Sequence, residues 1–373
     1  MTPRLVSDAE RLAGELGGDS GVVKGPLKGY HHETYVLCPP GGTRMVKVRE
    51  PRARILWFDR RCFRSEEQLL RALHGHISRI PDILDVEGME LQGFIEGRTV
   101  GRRLPWDRRV PDTVFDQIVE LFREMALITP DTLSRLKVER RCGDTDRADE
   151  GDCDGFLERL IAFSEERIFE ENRARYGGLF DELGVTGESF ALLRKRVSGL
   201  KQRPFCLLHA DLHRENLIVD AGGRLWTIDW ELAMLGDPLY DLATHLHLMR
   251  YPADQERRMT RAWCEVVERV RPGGSRGWQD DLPLILDFKK AQSVFTDVIR
   301  GAQSLLVRDG TAFNWAGLPL AALKLRKVLE NAAEPLGLRG VPGHSQITGA
   351  LVSWHRTREA ERSDGPREDR NYL

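Results

Sequence analysis

Apolar and polar residues alternate along much of residues 1–95, and turn residues separate the alternating runs, which predicts a strand-rich region. A hairpin is predicted over residues 21–37, followed by a PPGG turn and a strand with the sequence TRMVKVRE. Residues 59–77 are predicted to be helical, because apolar side chains recur there at helical spacing. Residues 81–101 predict short strands with a glycine-containing connection.

Helical periodicity takes over after about residue 100 and continues toward the C-terminus. A strand-rich insert over residues 205–230 interrupts it, and Ala221-Gly222-Gly223 predicts a hairpin turn inside this insert. From residue 356 onward the chain is charged and nearly free of apolar side chains, which predicts a disordered tail. The predicted organisation is therefore an N-terminal lobe over residues 1–95, a C-terminal lobe over residues 96–355 and a tail over residues 356–373.

Charge and cysteine content narrow the class of protein. The chain of 373 residues has a net charge of −2, which gives no reason to expect a nucleic acid or a membrane surface as a partner. No apolar run reaches the length that spans a bilayer, and the N-terminus lacks the apolar centre of a signal peptide, so we expect a cytoplasmic protein. Six scattered cysteines are expected to be reduced thiols, and Cys142 and Cys153, which bracket a polar stretch, are expected to stay unpaired.

The strongest chemical signal is the sequence HADLHRENL, which begins at His209, together with IDWE, which begins at Ile228. Phosphoryl transfer needs a carboxylate that orients the nucleophilic hydroxyl and accepts its proton, and hard oxygen ligands that hold Mg²⁺ against the phosphates. Asp211 can supply the first function, and Asn216 with Asp229 can supply the second. The alternative interpretation is a polar loop that caps a helix, with an unrelated acidic residue after it.

The longer pattern HADLHRENLIV, TIDWELAML and GDPLYDLA closely resembles the core motifs of the aminoglycoside phosphotransferase and choline kinase superfamily. The resemblance implies an α+β, two-lobed protein-kinase-like fold, with a small β-rich N-lobe that binds the nucleotide and a large helical C-lobe. It also implies Asp211 as the catalytic aspartate and Asn216 and Asp229 as the metal ligands. In the same way, His209 is implied to brace the loop and Asp241 to tie it down from the next helix.

Lys47 stands mid-strand between apolar neighbours, which is unusual for a lysine without a partner. A Lys47–Glu66 ion pair directed at the nucleotide phosphates is the functional interpretation, and resemblance to the family pattern selects Glu66 over Glu67. The alternative is a half-exposed lysine and a solvated glutamate. Ser65 and Gln68 could form a capping box, which would start the helix too late for Glu66 to lie in its middle.

Two further segments are candidates for nucleotide contacts. Gly29 permits a tight turn above the phosphates, and His31 or His32 could donate a hydrogen bond to them, although both histidines could be ordinary turn residues. Family members usually have a second glycine and an asparagine in this loop, where the chain has Lys28 and His32. Backbone groups near Gly93, Phe94 and Ile95 are expected to bind adenine at a hinge between the lobes, or to form only a strand and a turn.

The acceptor is the most open question. Acidic residues crowd residues 144–154, which predicts a solvated loop or, with Glu231 and Asp297, the lining of a cleft for a polycationic substrate. The resemblance implies an ATP- and Mg²⁺-dependent kinase for a hydroxyl group of a small molecule. The first hypothesis for that molecule is a cationic aminoglycoside-like or peptide antibiotic, which would make the protein an antibiotic resistance enzyme. A metabolic kinase for choline, homoserine, a sugar or a glycated amine is the alternative, and a nucleotide-binding pseudokinase is a third.

Overall fold

A computed structural model describes residues 7–17, 23–27, 32–51, 56–102, 109–307 and 312–364. The helices in these ranges are α1 (Asp8–Gly17), α2 (Glu66–Leu73), α3 (Asp112–Leu127), α4 (Pro130–Arg135), α5 (Cys153–Phe163), α6 (Arg173–Glu182), α7 (Glu188–Arg196), α8 (Pro238–Met249), α9 (Ala253–Val270), α10 (Trp278–Ser304), α11 (Leu318–Ala332) and α12 (His344–Asp364). The strands are β1 (Lys24–Leu27), β2 (His32–Leu37), β3 (Val46–Pro51), β4 (Ile83–Val86), β5 (Met89–Gly93), β6 (Arg98–Thr99), β7 (Cys206–Leu208), β8 (Leu217–Val219), β9 (Leu225–Thr227), β10 (Met234–Gly236), β11 (Leu306–Val307) and β12 (Ala312–Phe313).

The N-terminal strands form an antiparallel sheet in the order β1-β2-β3-β5-β4. Helix α1 packs on one face of this sheet, where its Ala13 and Leu16 join a buried cluster that includes Val46 and Val48 of β3. Because successive side chains on a strand point to opposite faces, Lys47 and Arg49 project from the other face of β3. The hairpin, the PPGG turn and the following strand that the sequence predicts are all present in this sheet.

Helix α2 begins later than the periodicity predicts. Ser65 is its N-cap and its side chain accepts a hydrogen bond from the Gln68 N–H at 3.2 Å, so the helix starts at Glu66 and not near residue 59. The preceding residues instead form an isolated antiparallel bridge between Phe63 and Arg140. Glu66 is therefore the first residue of its helix, as the alternative capping interpretation requires.

The strand-rich insert contains one antiparallel strand pair inside another. In the outer pair, β7 pairs with β10 and Leu208 lies opposite Met234, so the two ends of the intervening segment are adjacent. Within that excursion β8 pairs with β9 on one side and with β6 on the other. Gly223, in the turn between β8 and β9, has a φ of 75°, which glycine adopts without steric cost. The predicted hairpin turn is thus present.

The chain divides into two compact units, and the first consists of residues 1–55, 60–153 and 201–278. The second contains residues 56–59, 154–200 and 279–373, and aromatic contacts such as the stacked rings of Phe190 and Phe295, 4.3 Å apart, lie in its core. These units are not the two predicted lobes, and the lobe boundary after residue 95 stays a prediction. Helix α12 continues to Asp364, so the segment assigned to the tail is helical over residues 356–364. No helix in the described ranges has the length and apolar character that a membrane span requires.

Candidate active site

The loop that follows β7 is held by a helix that comes later in the chain. The carboxylate of Asp241, in the first turn of α8, accepts hydrogen bonds from the backbone N–H groups of His209 at 3.1 Å and Ala210 at 2.8 Å. Ala210 has a φ of 63°, a backbone conformation that residues with a Cβ rarely adopt. The Asp241 carboxylate thus satisfies two buried N–H donors and stabilises this turn, and the turn sets the orientation of the Asp211 side chain that follows it.

His209 is completely buried and holds the two halves of the insert together. Its Nδ1 accepts a hydrogen bond from the Asp211 N–H at 3.3 Å, and its Nε2 lies 3.1 Å from the carbonyl oxygen of Ile228. Nδ1 must be unprotonated to accept this hydrogen bond, and Nε2 must be protonated to donate to a carbonyl oxygen, so the proton lies on Nε2. Burial lowers the pKa of His209 to about 4, so the ring is neutral at physiological pH.

Asp211 is in contact with two polar side chains of its own loop. The amide nitrogen of Asn216 donates to the Asp211 carbonyl oxygen at 2.9 Å and lies 3.4 Å from its carboxylate, which leaves the Asn216 amide oxygen to face another ligand. The Nε2 atom of His213 also lies 3.4 Å from the Asp211 carboxylate. Burial lowers the pKa of His213, but the hydrogen bond with Asp211 and the charges of Asp211, Asp229 and Glu215 together outweigh burial, so the net shift is upward.

No role for His213 was predicted from the sequence. Its signal was its position two residues after Asp211, inside the motif itself. The tight turn brings the two side chains to the same side, because the His213 N–H donates to the Asp211 carbonyl oxygen at 2.9 Å. His213 is therefore a candidate for positioning the Asp211 carboxylate.

Asp229 lies just after β9 in a group of three carboxylates, of which Glu66 and Glu231 are buried and Asp229 is half-buried. The side chains of Glu66, Asp229 and Glu231 offer oxygens that all lie within 4.8 Å of one another. Burial, and then the charges of Glu231 and Glu66, raise the pKa of Asp229 to about 7. The backbone of Asp229 is left-handed, with a φ of 68°, and the neighbouring Ile228 N–H donates to the Asn216 carbonyl oxygen at 3.0 Å. Asp211, Asn216 and Asp229 are thus neighbours on one loop system.

Glu231 does not line an open cleft as the substrate hypothesis supposes. It is 5% exposed, belongs to the carboxylate group with Asp229, and its Oε2 lies 3.7 Å from Nε2 of His32 on β2. This position suits a metal ligand better than a contact with a cationic substrate.

The prediction that Lys47 forms the ion pair with Glu66 is wrong, because the cation that pairs with Glu66 is Arg49. Arg49, two residues further along β3, makes the ion pair with Glu66 and also binds Glu67 at 2.9 Å. Among the described residues no carboxylate lies within ion-pair distance of Lys47. Burial and the adjacent Arg49 charge lower the pKa of Lys47, although Glu66 and Asp229 act in the opposite direction.

The physical reason for the exchange is the start of α2. Because Glu66 is the first residue of that helix and Glu67 follows it, the guanidinium of Arg49 on β3 contacts both carboxylates. Glu66 also accepts the backbone N–H of Trp230 at 2.9 Å, which connects α2 to the loop that carries Asp229. Burial opposes ionisation of Glu66, but Arg49 and Lys47 hold its pKa down at about 2.

The segment expected to bind adenine borders a cavity of about 510 Å³ whose lining includes Gly93, Phe94 and Ile95. The N–H of Gly93 donates to the Asp82 carbonyl at 2.8 Å, and the N–H of Phe94 donates to the Met45 carbonyl at 2.8 Å. These two donors are therefore unavailable to a base. The Ile95 N–H makes no hydrogen bond to another described residue, which makes it the candidate donor of this segment.

Three further predictions are placed as follows. Gly29 and His31 lie outside the described residues, so the phosphate loop stays a prediction. Asp297 lies on α10 in the second compact unit, and its contact with substrate also stays a prediction.

The acidic segment 144–154 is largely engaged within the protein. The Asp154 carboxylate accepts the Gly199 N–H at 2.9 Å, Glu150 accepts the Phe205 N–H at 2.9 Å, and Asp144 pairs with Arg147. These contacts account for several of its charges without a substrate.

Comparison with known proteins gives one family and a common fold. The model of the family described as "Phosphotransferase enzyme family" matches residues 22–273. Nothing among the curated proteins matches the chain. Structural similarity extends to LicA in complex with AMP, at 16% identity and a TM-score of 0.50, over 88% of this chain and 97% of that one.

Two other solved structures show similar coverage. A choline/ethanolamine kinase family protein from Mesorhizobium loti has 18% identity, a TM-score of 0.47 and coverage of 91% of this chain and 95% of its own. The macrolide 2'-phosphotransferase MphH from Brachybacterium faecium has 14% identity, a TM-score of 0.47 and coverage of 91% and 99%. The prediction of an α+β, protein-kinase-like fold is confirmed.

Proposed function

Because this chain belongs to the phosphotransferase enzyme family, we propose that it is a kinase that transfers the γ-phosphate of ATP to a hydroxyl group of a small molecule. The observation that carries the proposal is the loop over residues 209–216, where Asp211 and Asn216 are in contact and Asp241 holds the turn in place. The cavity beside Ile95 has the volume of a small-molecule site. Phosphoryl transfer depends mostly on positioning and charge stabilisation, and a braced loop of this kind supplies positioning.

Asp211 is the proposed catalytic base. Its carboxylate would accept the proton of the acceptor hydroxyl as the new O–P bond forms and the bond to the ADP leaving group breaks. His213 and Asn216 restrict the rotation of that carboxylate through their contacts. Asp211 is 8% exposed, so most of its surface is shielded from solvent.

The donor set fits Mg²⁺. Asn216 and Asp229 offer hard oxygen atoms, and Glu231 adds a third beside Asp229. Burial, and then the charges of Glu231 and Glu66, raise the pKa of Asp229, and a divalent cation would relieve the repulsion among these carboxylates. When bound, Mg²⁺ would neutralise charge on the phosphates.

Asp229→Ala tests the metal assignment. We expect this variant to lose the Mg²⁺-dependent part of ATP binding, because it removes one of the carboxylates of the group that Asp229 forms with Glu66 and Glu231. Calorimetric titration with ATP, with and without Mg²⁺, measures this, and Asp131→Ala on an exposed turn of α4 is the matched control. Normal MgATP binding by the Asp229 variant would contradict the assignment.

For the acceptor, we propose a cationic aminoglycoside-like or peptide antibiotic first, with a metabolic alcohol as the alternative. The cationic class comes from the sequence: Glu231 is buried, the acidic segment is engaged within the protein, and the contact of Asp297 with substrate stays a prediction. A screen of hydroxylated antibiotics, amines and sugars, read by ADP release and by the mass gain of one phosphate, decides between them. Nucleotide binding without turnover of any compound would favour the pseudokinase alternative.

A further inference from the structure

Two cysteines that are 80 residues apart in the chain lie side by side in the first compact unit. The antiparallel bridge between Phe63 and Arg140 sets the register, and the Arg141 N–H donates to the Cys62 carbonyl oxygen at 2.9 Å. The Cys142 thiol donates to the same carbonyl oxygen at 3.6 Å, so the Cys142 sulfur lies directly against the backbone of Cys62. Both side chains are partly exposed.

The surroundings of Cys142 favour its thiolate. The hydrogen bond from Cys62 is the largest cause, burial opposes it, and the charges of Arg147 and Arg140 add to it, while Asp146 acts in the opposite direction. The pKa of Cys142 is lowered to about 6. Burial instead raises the pKa of Cys264 to about 12. Cys142 therefore favours the thiolate form, whereas Cys264 favours the neutral thiol.

We propose that Cys62 and Cys142 form a peroxide-reactive dithiol that closes to an intrachain disulfide. The Cys142 thiolate attacks one oxygen of hydrogen peroxide and breaks the O–O bond, which yields the Cys142 sulfenic acid and hydroxide. The Cys62 thiol then attacks the sulfenic sulfur, the S–S bond forms, and the sulfenic oxygen leaves as water with the thiol proton. The peroxide is reduced and the two thiols are oxidised, so electrons and atoms balance.

The segments that the disulfide would join are already paired by non-covalent contacts. Arg64 and Glu139 form an ion pair at 2.8 Å, and the Glu139 N–H donates to the Gln68 side chain at 3.2 Å. Cross-linking two segments that already lie together reduces the entropy of the unfolded chain. Cys62 precedes the Ser65 cap by three residues, so the disulfide would anchor the start of α2, where Glu66 lies.

The test uses the full chain and hydrogen peroxide as the oxidant. Wild-type protein is treated with a small excess of peroxide, the remaining thiols are alkylated, and a non-reducing digest is analysed by mass spectrometry. We expect a Cys62–Cys142 linked peptide as the main oxidised product. Cys62→Ser should stop at a sulfenic acid on Cys142, which dimedone labels, and Cys142→Ser should not form the linked peptide.

Cys38→Ser is the matched control, because Cys38 is partly exposed and its thiol donates to the Gly42 carbonyl oxygen at 3.2 Å, far from Cys142 in the chain. This variant should form the disulfide as the wild type does. Oxidised wild type should melt higher than reduced wild type by roughly 3–10 °C, whereas peroxide should not raise the melting temperature of Cys62→Ser. Absence of the linked peptide, whether oxidation falls on other residues or does not occur, would overturn the proposal.

Discussion

The orientation of Asp211 is fixed by contacts with three neighbouring residues of its own loop. Its N–H is bound to His209, its carbonyl to Asn216 and His213, and its carboxylate is in reach of both of the latter side chains. A carboxylate with three of its neighbours already oriented costs little further entropy when a substrate hydroxyl arrives. The proposed role can therefore be tested by changing charge without changing shape.

Asp211→Asn should lower kcat by about 10²–10⁴-fold, because an amide cannot accept the proton of the acceptor hydroxyl. Nucleotide affinity should stay close to that of the wild type, since the metal ligands are untouched. Initial rates with the acceptor found in the screen, together with ATP titration, measure both. Asp131→Asn is the control, and an Asp211 variant with undiminished turnover would reject the role of base.

Arg49 and Lys47 share one face of β3 but differ in their partners, and this difference can be measured. Arg49→Met should destabilise the protein by about 3–5 kcal/mol, because the buried carboxylate of Glu66 loses its ion-pair partner. Lys47→Met should destabilise the protein less than Arg49→Met, because Lys47 has no carboxylate at ion-pair distance among the described residues. It should weaken nucleotide binding more than Arg49→Met does. Urea unfolding and ATP titration of both variants make the comparison. Equal destabilisation by the two would show that Lys47 also pairs with Glu66.

At the scale of elements, the candidate site depends on helices that hold loops. Asp237 is the N-cap of helix α8. The buried Arg203 side chain also donates to the Asp237 carboxylate from Nε and from Nη2, each at 2.7 Å. The same helix then presents Asp241 to the loop after β7. Helix α2 likewise presents Glu66 to Trp230. Each contact joins a helix start to one end of the strand-rich insert.

Asp241→Asn should lower both stability and turnover. An asparagine side chain has one carbonyl oxygen, so one of the two buried N–H groups of the loop would lose its partner, at a cost of about 1–3 kcal/mol. Thermal unfolding and kcat measure the two effects. Asp254→Asn, on the exposed start of α9, is the control and should change neither much. A stable Asp241 variant with normal kcat would mean that the loop keeps its turn without this carboxylate.

At the scale of the whole molecule, buried histidines link global stability to pH. His245 on α8 is fully buried, with Nδ1 2.9 Å from the Leu212 carbonyl oxygen and Nε2 2.9 Å from the Tyr251 hydroxyl. Burial lowers the pKa of His245 to about 3. The unfolded chain therefore takes up the proton first as the pH falls, and folding stability decreases from about pH 6.5 downward.

Between pH 7 and pH 5, His245 should account for a loss of about 2 kcal/mol in the free energy of unfolding. His245→Asn lacks the titrating ring, so its stability difference from the wild type should shrink by that amount as the pH falls. Urea unfolding at both pH values measures this, and His76→Asn, an exposed histidine, is the control. A difference that stays constant with pH would contradict the assignment.

The sequence by itself determined the features that depend on neighbouring residues. The strand pattern of β2 and β3, the turn at Gly223 and the motif from His209 to Asp229 are local, because their residues interact within a short stretch of chain. Hydrogen bonding and periodicity act over that range, so a single sequence contains enough information for them.

Only the tertiary structure decided which distant side chains meet. The choice of Arg49 over Lys47 for Glu66, the place of Glu231 among carboxylates and the approach of Cys62 to Cys142 each depend on where a helix starts or how two remote segments align. Shifts of one or two residues change such contacts completely, while they leave the hydrophobic pattern nearly the same. For that reason the pattern of the chain predicted the kind of site, and the packing of its elements selected the partners within it.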